Sequence, residues 1–272
     1  MRCWTILPGS MDEIMVTVIC VTYNHADYIR DALEGFVAQQ TPWRIEVLVH
    51  DDASTDGTAD IVRHYEDLFP GLIRGVYQTE NQYSKGVNIT KTFLHPLVRG
   101  RYVALCEGDD CWTDPHKLEK QVAVLEAHPE VDICAHRALR VRDGRPRGYV
   151  SPAWRDRLIP AERVILGGGN FVATGSLLCR REAYLLQTPM RDILANDYSL
   201  QIQCSLRGGM YYLHDCMSVY RRGVPGSWSA QKRHCNDAFR LQRRRMLEAL
   251  DDYTQGRYHR IILRRLRRYS RP

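Results

Sequence analysis

The sequence has no apolar run long enough to span a membrane. Its longest aliphatic stretch, residues 16–21, has the length of a strand, whereas a spanning helix needs about 20 apolar residues. The first ten residues carry one arginine and no apolar core, which is not the pattern of a secretory signal. We therefore expect a cytoplasmic protein.

Glycine-rich phosphate-binding motifs are also absent. The sequence contains neither G-x-G-x-x-G nor G-x-x-x-x-G-K-[ST], so neither a dinucleotide-binding fold nor a P-loop is indicated. A nucleotide, if one binds, would have to be held through its base and through a metal ion.

Cysteine is present, but without the spacing of a zinc site or a disulfide framework. The nine cysteines are an odd number, no C-x-x-C pair occurs, and Cys106 and Cys111 have no histidine pair nearby. Most lie in apolar, strand-like runs, where a free thiol behaves as a small hydrophobic residue. This pattern argues against structural zinc and is typical of a reducing compartment.

The remaining composition is that of an ordinary globular protein, and its pattern is α/β. Of the 272 residues, 44% are hydrophobic and 26% are charged. Strand patterns cover residues 16–21, 45–50, 72–78, 101–106 and 131–141, and helix patterns cover 28–39, 57–68, a segment ending at 98, and 115–127. This alternation predicts a mostly parallel, twisted sheet flanked by helices.

The second half of the sequence is less regular. We expect a loop over 144–160, a strand over 171–179, a helix over 197–206 and a strand over 210–220. From residue 229 onward the pattern is helical and basic, and Gly256 divides it.

Positive charge is concentrated in that C-terminal tail. Residues 221–272 hold 15 basic and 4 acidic residues, a net +11, so the first 220 residues carry −5 of the total +6. Such a tail could meet phospholipid, nucleic acid or a phosphorylated substrate, or it could be a solvated helix face. Nucleic acid is disfavoured because no aromatic stacking platform or zinc module accompanies the charge.

An apolar stripe runs through the end of the tail, where residues 257–271 include seven arginines. The stripe consists of Tyr258, Ile262, Leu266 and Tyr269 at helical spacing. It could lie in a membrane interface with the arginines near anionic lipid, or it could pack on the rest of the protein. The sequence leaves both interpretations open.

Polar motifs follow several predicted strands. They are Thr22-Tyr23-Asn24, the run from Asp51 to Thr58, and Glu107-Gly108-Asp109-Asp110, while Asn196-Asp197 opens a helix downstream. Because ligands bind outside the carboxyl ends of strands in open parallel sheets, we expect these motifs to form the site.

The acidic motif predicts a metal site. Glu107, Asp109 and Asp110 would repel one another at the end of a buried strand unless a cation offset their charge. Such oxygen ligands suit Mg²⁺ or Mn²⁺, which then bridges to substrate phosphates. Helix capping is the alternative, but Asp114 can cap the following helix alone.

The run from Asp51 to Thr58, after the second strand, is weaker evidence for a binding site, because residues of these types also form turns and helix caps. Asp51 and Asp52 point in alternate directions, so only one can face the cleft. A carboxylate there could accept the N3–H of uracil or thymine, and Tyr23 offers a ring for stacking.

Together these motifs resemble those of family-2 glycosyltransferases of the GT-A fold. The resemblance covers residues 14–229 and is carried by the segments VTVICVTYNHADYIRDALEGFVAQQ, IEVLVHDDASTDGTADIV, RGRYVALCEGDDCWTDPHKLEKQV, NDYSLQIQCSLRGGMYYL and VYRRGVPGSWS. It implies a nucleoside-diphosphate sugar as donor, with UDP or dTDP favoured, Mn²⁺ or Mg²⁺ as cofactor, and inversion at the anomeric carbon.

The resemblance also implies residue roles. Asp197 would be the catalytic base, Asp110 the metal ligand, and Asp109 a ligand nearer the sugar or ribose. The nucleotide sugar would further contact Val21, Tyr23, Asn24, Asp52, Lys85 and Arg222, and candidates for the sugar or acceptor site are Glu107, Trp112, Asn196 and Trp228. Close relatives carry a histidine shortly after the Tyr-Arg pair, whereas this chain reads Tyr220-Arg221-Arg222-Gly223.

The same resemblance divides the chain and suggests its partners. Residues 14–114 would bind the nucleotide sugar, 115–228 the acceptor, and 229–272 would form a basic helical extension. The acceptor hydroxyl could be lipid-linked or belong to a small natural product, and residues 257–271 could touch the inner face of the membrane. A nucleotidyltransferase and a non-catalytic carbohydrate- or lipid-surface-binding protein remain the alternatives.

Overall fold

The computed structural model describes residues 13–224 and 237–267. Its strands are β1 Ile14–Thr22, β2 Arg44–Asp51, β3 Ile73–Tyr77, β4 Tyr102–Leu105, β5 Cys111–Trp112, β6 Ile133–Arg142, β7 Arg145–Val150, β8 Arg157–Ile159, β9 Leu178–Arg180 and β10 Met210–Arg222. Its α-helices are α1 Ile29–Val37, α2 Thr58–Leu68, α3 Lys117–Ala127, α4 Ala161–Gly167, α5 Arg181–Leu185, α6 Pro189–Ile193, α7 Asp197–Ser205, α8 Asp237–Tyr253 and α9 His259–Leu266.

The strands form a single sheet in the order β3-β2-β1-β4-β9-β6-β10-β5, with β7 added to β6 and β8 to β10. Strands β3, β2, β1 and β4 pair in parallel, and so do β6 and β10. Because β9 is antiparallel to both β4 and β6, the two parallel groups point the same way. The α/β prediction is confirmed, and the carboxyl ends of β1, β2, β4 and β10 share one edge.

The central strands are buried on both faces, which explains their continuous apolar sequences. Along β1, Val18 and Cys20 pack into the core beneath α1 and α3, whereas Ile19 between them packs into the core on the opposite face. Side chains alternate across a strand, so a strand covered on both sides is apolar at nearly every position. The buried Thr17 of β1 is an exception, and its hydroxyl donates to the Glu46 carboxylate at 2.6 Å.

Two parts of the second half differ from the sequence-based expectation. The segment predicted as a loop, 144–160, contains the strands β7 and β8. Its edge strand β7 is almost entirely exposed and includes Pro146 and Gly148, residues that are depleted in strands. The strand predicted over 171–179 is instead mainly a turn, with a 3-10 segment at Thr174–Ser176 before the short β9.

The helix expected before residue 98 is also irregular. It is a π-helical turn, Thr90–Leu94, followed by a 3-10 turn, His95–Leu97. Another 3-10 turn, Tyr83–Lys85, lies in the loop after β3. The seven cysteines in the described part of the chain are free thiols, and six of them are buried.

The basic tail folds back on the domain. Helices α8 and α9 are separated at Gly256, which has a φ of +77°, so Gly256 divides the helical tail as predicted. Tyr258 and Ile262 are buried, and Leu266 packs partly buried against the same core. The apolar stripe is therefore used for packing, while Arg257 and Arg260 are exposed. Tyr269 and Arg271 lie outside the described residues.

No helix within residues 13–224 and 237–267 is both long enough and apolar enough to cross a bilayer. Contact between the arginines of 257–271 and a membrane surface stays a prediction. The division of the chain at 114 and 228 likewise stays a prediction.

Candidate active site

Backbone hydrogen bonds draw the ends of three strands together. The N–H of Asp52, at the end of β2, donates to the carbonyl of Thr22 in β1 at 3.0 Å. The N–H of Gly108, two residues beyond Cys106 at the end of β4, donates to the carbonyl of Val21 at 3.0 Å. The polar motifs that follow these strands therefore meet at one edge of the sheet, as the sequence predicts.

The three carboxylates of the acidic motif form a compact cluster. Glu107, Asp109 and Asp110 each offer an oxygen, and these oxygens lie within 4.8 Å of one another. Asp109 and Asp110 are 5% and 1% exposed, whereas Glu107 remains open to solvent. Nothing in helix capping requires three acids at this spacing.

The electrostatics of the cluster favour a cation. Burial, together with repulsion by Asp109 and Glu107, raises the pKa of Asp110 well above its ordinary value. Although Glu107 keeps exposed surface, the protein packed around it limits the hydration of its carboxyl group, and this, with repulsion by Asp109 and Asp197, raises its pKa to about 8. Each carboxylate is therefore costly to ionise beside its neighbours, and a divalent cation would remove that cost.

Asp110 has one oxygen that the protein does not use. Its Oδ1 accepts a hydrogen bond from the backbone N–H of Arg221 at 2.7 Å, which fixes the carboxylate. Its Oδ2 is buried and has no partner among the described residues. An unsatisfied buried carboxylate oxygen beside two further acids is a donor set that suits Mn²⁺ or Mg²⁺.

The glycine inside the acidic motif is required by close packing. A Cβ atom on Gly108 would lie 2.6 Å from Thr22 Oγ1 and 2.7 Å from Thr22 Cβ. The loop must therefore cross directly over the end of β1, and only glycine permits this approach.

We expect Gly108→Ala to disturb the cluster. The added methyl group forces the loop away from Thr22, which should lower the free energy of unfolding by about 1–3 kcal/mol and weaken metal-dependent nucleotide binding. Denaturant titration and calorimetry measure the two effects. Gly100→Ala is the matched control, because its Cβ would clash with the backbone nitrogen of Thr17 before the amino end of β4, so it should cost stability without lowering metal-dependent binding. Equal metal-dependent binding by the two variants would contradict the assignment of Gly108.

Asp197 lies at the first turn of α7, and Asn196 caps that helix. The Asn196 side chain accepts from the N–H of Ser199 at 3.0 Å, completing a capping box, while Asp197 Oδ1 accepts from the N–H of Tyr198 at 2.7 Å. Burial raises the pKa of Asp197 to about 6, although the Tyr198 N–H and the positive charge of Arg243 oppose the rise. Asp197 is therefore a stronger base than an ordinary aspartate.

The same electrostatics place Asp197 beside the acidic cluster. Tyr220, near the end of β10, has its pKa raised by burial and by the charges of Asp110, Glu107 and Asp197. The negative charge of Asp197 also raises the pKa of Glu107. Residues separated by almost ninety positions in the sequence thus share one charged environment.

Asp52 and Asn24, which were expected to contact the nucleotide, mainly form hydrogen bonds to neighbouring loops. The Asp52 carboxylate accepts from the N–H groups of Gln82 and Tyr83 at 2.8 and 3.0 Å, which anchors the loop after β3. Asn24 has a φ of +55°, and its side chain accepts from the Thr55 N–H. Of the two neighbouring acids, Asp51 rather than Asp52 keeps a buried oxygen without a partner among the described residues.

Tyr23 at the end of β1 is half-buried, and Lys85 is exposed in the loop after β3. Lys85 pairs with Glu80, so its ammonium group is already close to a carboxylate. Arg222 is exposed at the end of β10.

Trp112 supports the site from below. Its side chain is 4% exposed, its indole N–H donates to the carbonyl of Gly175 at 2.8 Å, and its ring packs edge-on against Phe36. The buried indole packs the core under the cluster instead of lining an open surface. Trp228 lies outside the described residues.

Two residues that the sequence analysis did not select contribute to the site. Arg221 fixes Asp110 through its backbone and donates from Nη1 to the carbonyl of Asp109 at 3.1 Å, while also pairing with Asp31. Arg243 of α8 supplies the positive charge near Asp197. Arg221 belongs to the Tyr-Arg pair of the sequence motif, which does not show that it contacts Asp110, and no local motif marks Arg243.

Comparisons with known proteins identify the family of this arrangement. The family model described as glycosyl transferase family 2 matches residues 17–225, most of the chain. An uncharacterized protein of Mycobacterium tuberculosis is 37% identical over 216 residues, which are 78% of this chain and 60% of that protein. The chain thus spans less than two thirds of the length of this relative.

Two solved glycosyltransferases share the fold. Staphylococcus aureus TarS 1–349, in complex with UDP-GlcNAc, superposes with a TM-score of 0.68 at 18% identity, covering 88% of this chain and 67% of that one. The mannosyltransferase PcManGT from Pyrobaculum calidifontis, in complex with GDP-Man and Mn²⁺, superposes with a TM-score of 0.61 at 21% identity, covering 97% and 72%. The predicted GT-A fold is confirmed.

Proposed function

We propose a function for this chain from the fact that it belongs to glycosyl transferase family 2. The proposed reaction moves a sugar from a nucleoside-diphosphate donor to an acceptor hydroxyl, with inversion at the anomeric carbon. The observation that carries it is the convergence of Glu107, Asp109 and Asp110 with Asp197 at the common edge of the sheet. TarS with its UDP-GlcNAc and PcManGT with its GDP-Man and Mn²⁺ support the choice of donor class and metal.

The donor base would lie at the ends of β1 and β2. Tyr23 offers a half-buried ring there, and the Asp51–Asp52 pair supplies carboxylates of which Asp51 retains an unpaired oxygen. A carboxylate that accepts an N3–H selects uracil or thymine, so we propose a UDP or dTDP sugar. Arg222 and Lys85 are the cations that we propose would meet the diphosphate.

Asp110 and Asp109 would hold the metal ion. A bound divalent cation would supply positive charge against the diphosphate as it departs. In this arrangement Arg221 keeps the Asp110 carboxylate oriented through its backbone N–H, and Trp112 and Gly175 form the floor beneath it.

Asp197 would act as the general base. It accepts the proton of the acceptor hydroxyl while the oxygen forms its bond to the anomeric carbon and the bond from that carbon to the diphosphate oxygen breaks. With a pKa of about 6, the carboxylate is ionised at neutral pH yet more basic than an ordinary aspartate. In the proposed reaction the base and the leaving group act on opposite faces of the sugar, so the anomeric centre is inverted.

The family assignment and the presence of both Asp110 and Asp197 near Tyr220 favour transfer over nucleotide-sugar synthesis and over non-catalytic binding. The acceptor, lipid-linked or a small natural product, stays a prediction, as does contact of the basic tail with a membrane.

A panel of nucleotide sugars tests the proposed function. We expect UDP or dTDP sugars with Mn²⁺ to raise the melting temperature and to be hydrolysed slowly to the nucleoside diphosphate when no acceptor is added. The same panel with EDTA should lose both effects. Full binding and turnover in EDTA would contradict the proposed metal requirement. If no nucleotide sugar changes the melting temperature or is hydrolysed, the proposed donor class is wrong.

A further inference from the structure

The C-terminal extension lies outside the region that matches the family, yet it packs against the helix that carries the proposed base. The family model ends at residue 225, whereas α8 and α9 span Asp237–Tyr253 and His259–Leu266. Met246 and Leu247 of α8 are fully buried in the same core as Tyr198 of α7. The Arg265 guanidinium of α9 also lies over the Tyr198 ring, 5.8 Å from its centre, so the extension contacts the residue next to Asp197.

Two arginines of the extension reach the glycine-rich segment that runs beside Asp197. Arg265 of α9 is 8% exposed and donates from Nη1 to the carbonyl of Leu166 at 3.0 Å. Arg243 of α8 extends along the same segment, with its Nη2 3.4 Å from the point where a Cβ of Gly169 would lie. Asp197 Oδ1 is 3.7 Å from that same point. The guanidinium of Arg243 and the carboxylate of Asp197 thus flank Gly169.

We infer that Arg243 is a positioning residue of the catalytic site, through which the extension holds Asp197 ionised and in place. This inference rests on the proposed function, in which Asp197 is the general base. Arg243 packs over the Phe239 ring at 4.5 Å, which directs its head group. Its Nε is buried without a hydrogen-bond partner, and it makes no ion pair within 4.0 Å among the described residues. Within residues 13–224 and 237–267, therefore, no acid neutralises its charge at ion-pair distance.

The groups that face Asp197 explain why this charge matters. The backbone N–H of Tyr198 donates to it at 2.7 Å, and the nearby Thr174 hydroxyl also lowers the pKa of Asp197, while Glu107 of the cluster repels it and Tyr220 lies nearby. Arg243 is the cation that acts on Asp197. Without Arg243, the carboxylate would face Glu107 with no opposing charge, and protonation of Asp197 would become easier.

Arg243→Gln tests this directly, and Arg244→Gln is the matched control. Arg244 is the next residue of the same helix, but its exposed side chain pairs with Glu248 at 3.0 Å and faces away from the site. The pKa of Asp197, followed by carboxyl-carbon NMR in the metal-free protein, should rise by about one unit in Arg243→Gln. It should stay unchanged in Arg244→Gln, and Arg243→Lys should keep most of the native value.

The pH dependence of transfer gives a second readout. If the pKa of Asp197 rises from about 6 by one unit, the ionised fraction falls about fivefold at pH 6 but by only about a tenth at pH 8. We therefore expect the loss in kcat for Arg243→Gln to be confined to the acid side. Equal losses at both pH values, or an unchanged pKa, would overturn the role of Arg243.

The two readouts separate this inference from the proposed function. If Asp197→Asn transfers sugar at the native rate, Asp197 is not the base and the proposed mechanism fails. The NMR titration still reports whether Arg243 controls the Asp197 carboxylate. The melting temperature of each variant verifies that its fold is intact. The comparison is valid when Arg243→Gln and Arg244→Gln melt at the same temperature.

Discussion

Asp197→Asn is expected to lower the rate of sugar transfer by a factor of roughly 10²–10⁴ while leaving donor affinity within about twofold, since loss of a positioned general base removes that much rate. Asparagine keeps the size of the side chain and can still accept the Tyr198 N–H, but it cannot take a proton. Asn196 supplies the helix cap, so α7 should remain folded. Turnover assays and calorimetry of donor binding give the two quantities.

The matched control for this variant is Asp192→Asn. Asp192 is an exposed acid of the preceding helix α6 that pairs with Lys91 at 3.2 Å, and it has no predicted role in binding or catalysis. Its replacement should leave both rate and affinity unchanged. Native turnover in Asp197→Asn would remove the general base from the mechanism, and a parallel loss of donor binding would assign Asp197 to the donor instead.

Asp110→Asn is expected to abolish the metal-dependent part of nucleoside-diphosphate binding. The substitution keeps an oxygen that can accept the Arg221 N–H but removes the negative charge and the unpaired carboxylate oxygen. We expect affinity in Mn²⁺ to fall at least about a hundredfold, to the level that the native protein shows in EDTA. Calorimetric titration with and without Mn²⁺ measures both values.

The same variant carries a prediction about stability. The pKa of Asp110 is raised in the folded protein, so its ionisation opposes folding once the pH exceeds the unfolded value near 4. Without metal at pH 7, Asp110→Asn should therefore melt at a higher temperature than the native protein. With Mn²⁺ the order should reverse, because only the native protein gains from the ion. Asp143→Asn, at an exposed turn, is the neutral control.

A lower melting temperature for metal-free Asp110→Asn would contradict the electrostatic description of the cluster. Metal-dependent binding that persists in Asp110→Asn would show that residues other than Asp110 hold the metal ion.

The sequence predicts the first half of this fold because its strands are buried on both faces. Most positions of β1 and β2 that alternate between the two cores are apolar, with Thr17, Glu46 and His50 as buried polar exceptions, so the sequence alone shows each strand and the polar residues that follow it. Since parallel strands end at the same edge, the meeting of the motifs after β1, β2 and β4 follows from the topology.

The second half could not be predicted in the same way. Strand β7 lies at the edge of the sheet and is exposed, so no apolar alternation marks it. The segment before β9 is apolar because it packs beneath the cluster as a turn, where Gly175 approaches Cys106 and Asp110. Apolar character reports burial, but it does not distinguish a buried turn from a buried strand.

The roles of individual site residues could not be predicted from the sequence either. Arg221 and Arg222 are adjacent, and only the register of β10 places Arg221 against Asp110. The choice between Asp51 and Asp52 depends on how the loop after β3 folds over Asp52. Arg243 reaches Asp197 through the packing of a helix that follows the family region, which no spacing in the sequence encodes.

A crystal structure of the protein with Mn²⁺ and a nucleoside diphosphate, using the anomalous signal of manganese, is the most direct test. The account predicts a single strong peak about 2.1 Å from a carboxylate oxygen of Asp110, bridged to the diphosphate, with Asp197 facing the position of the sugar. A manganese ion bound elsewhere, or a diphosphate that avoids the acidic cluster, would contradict it.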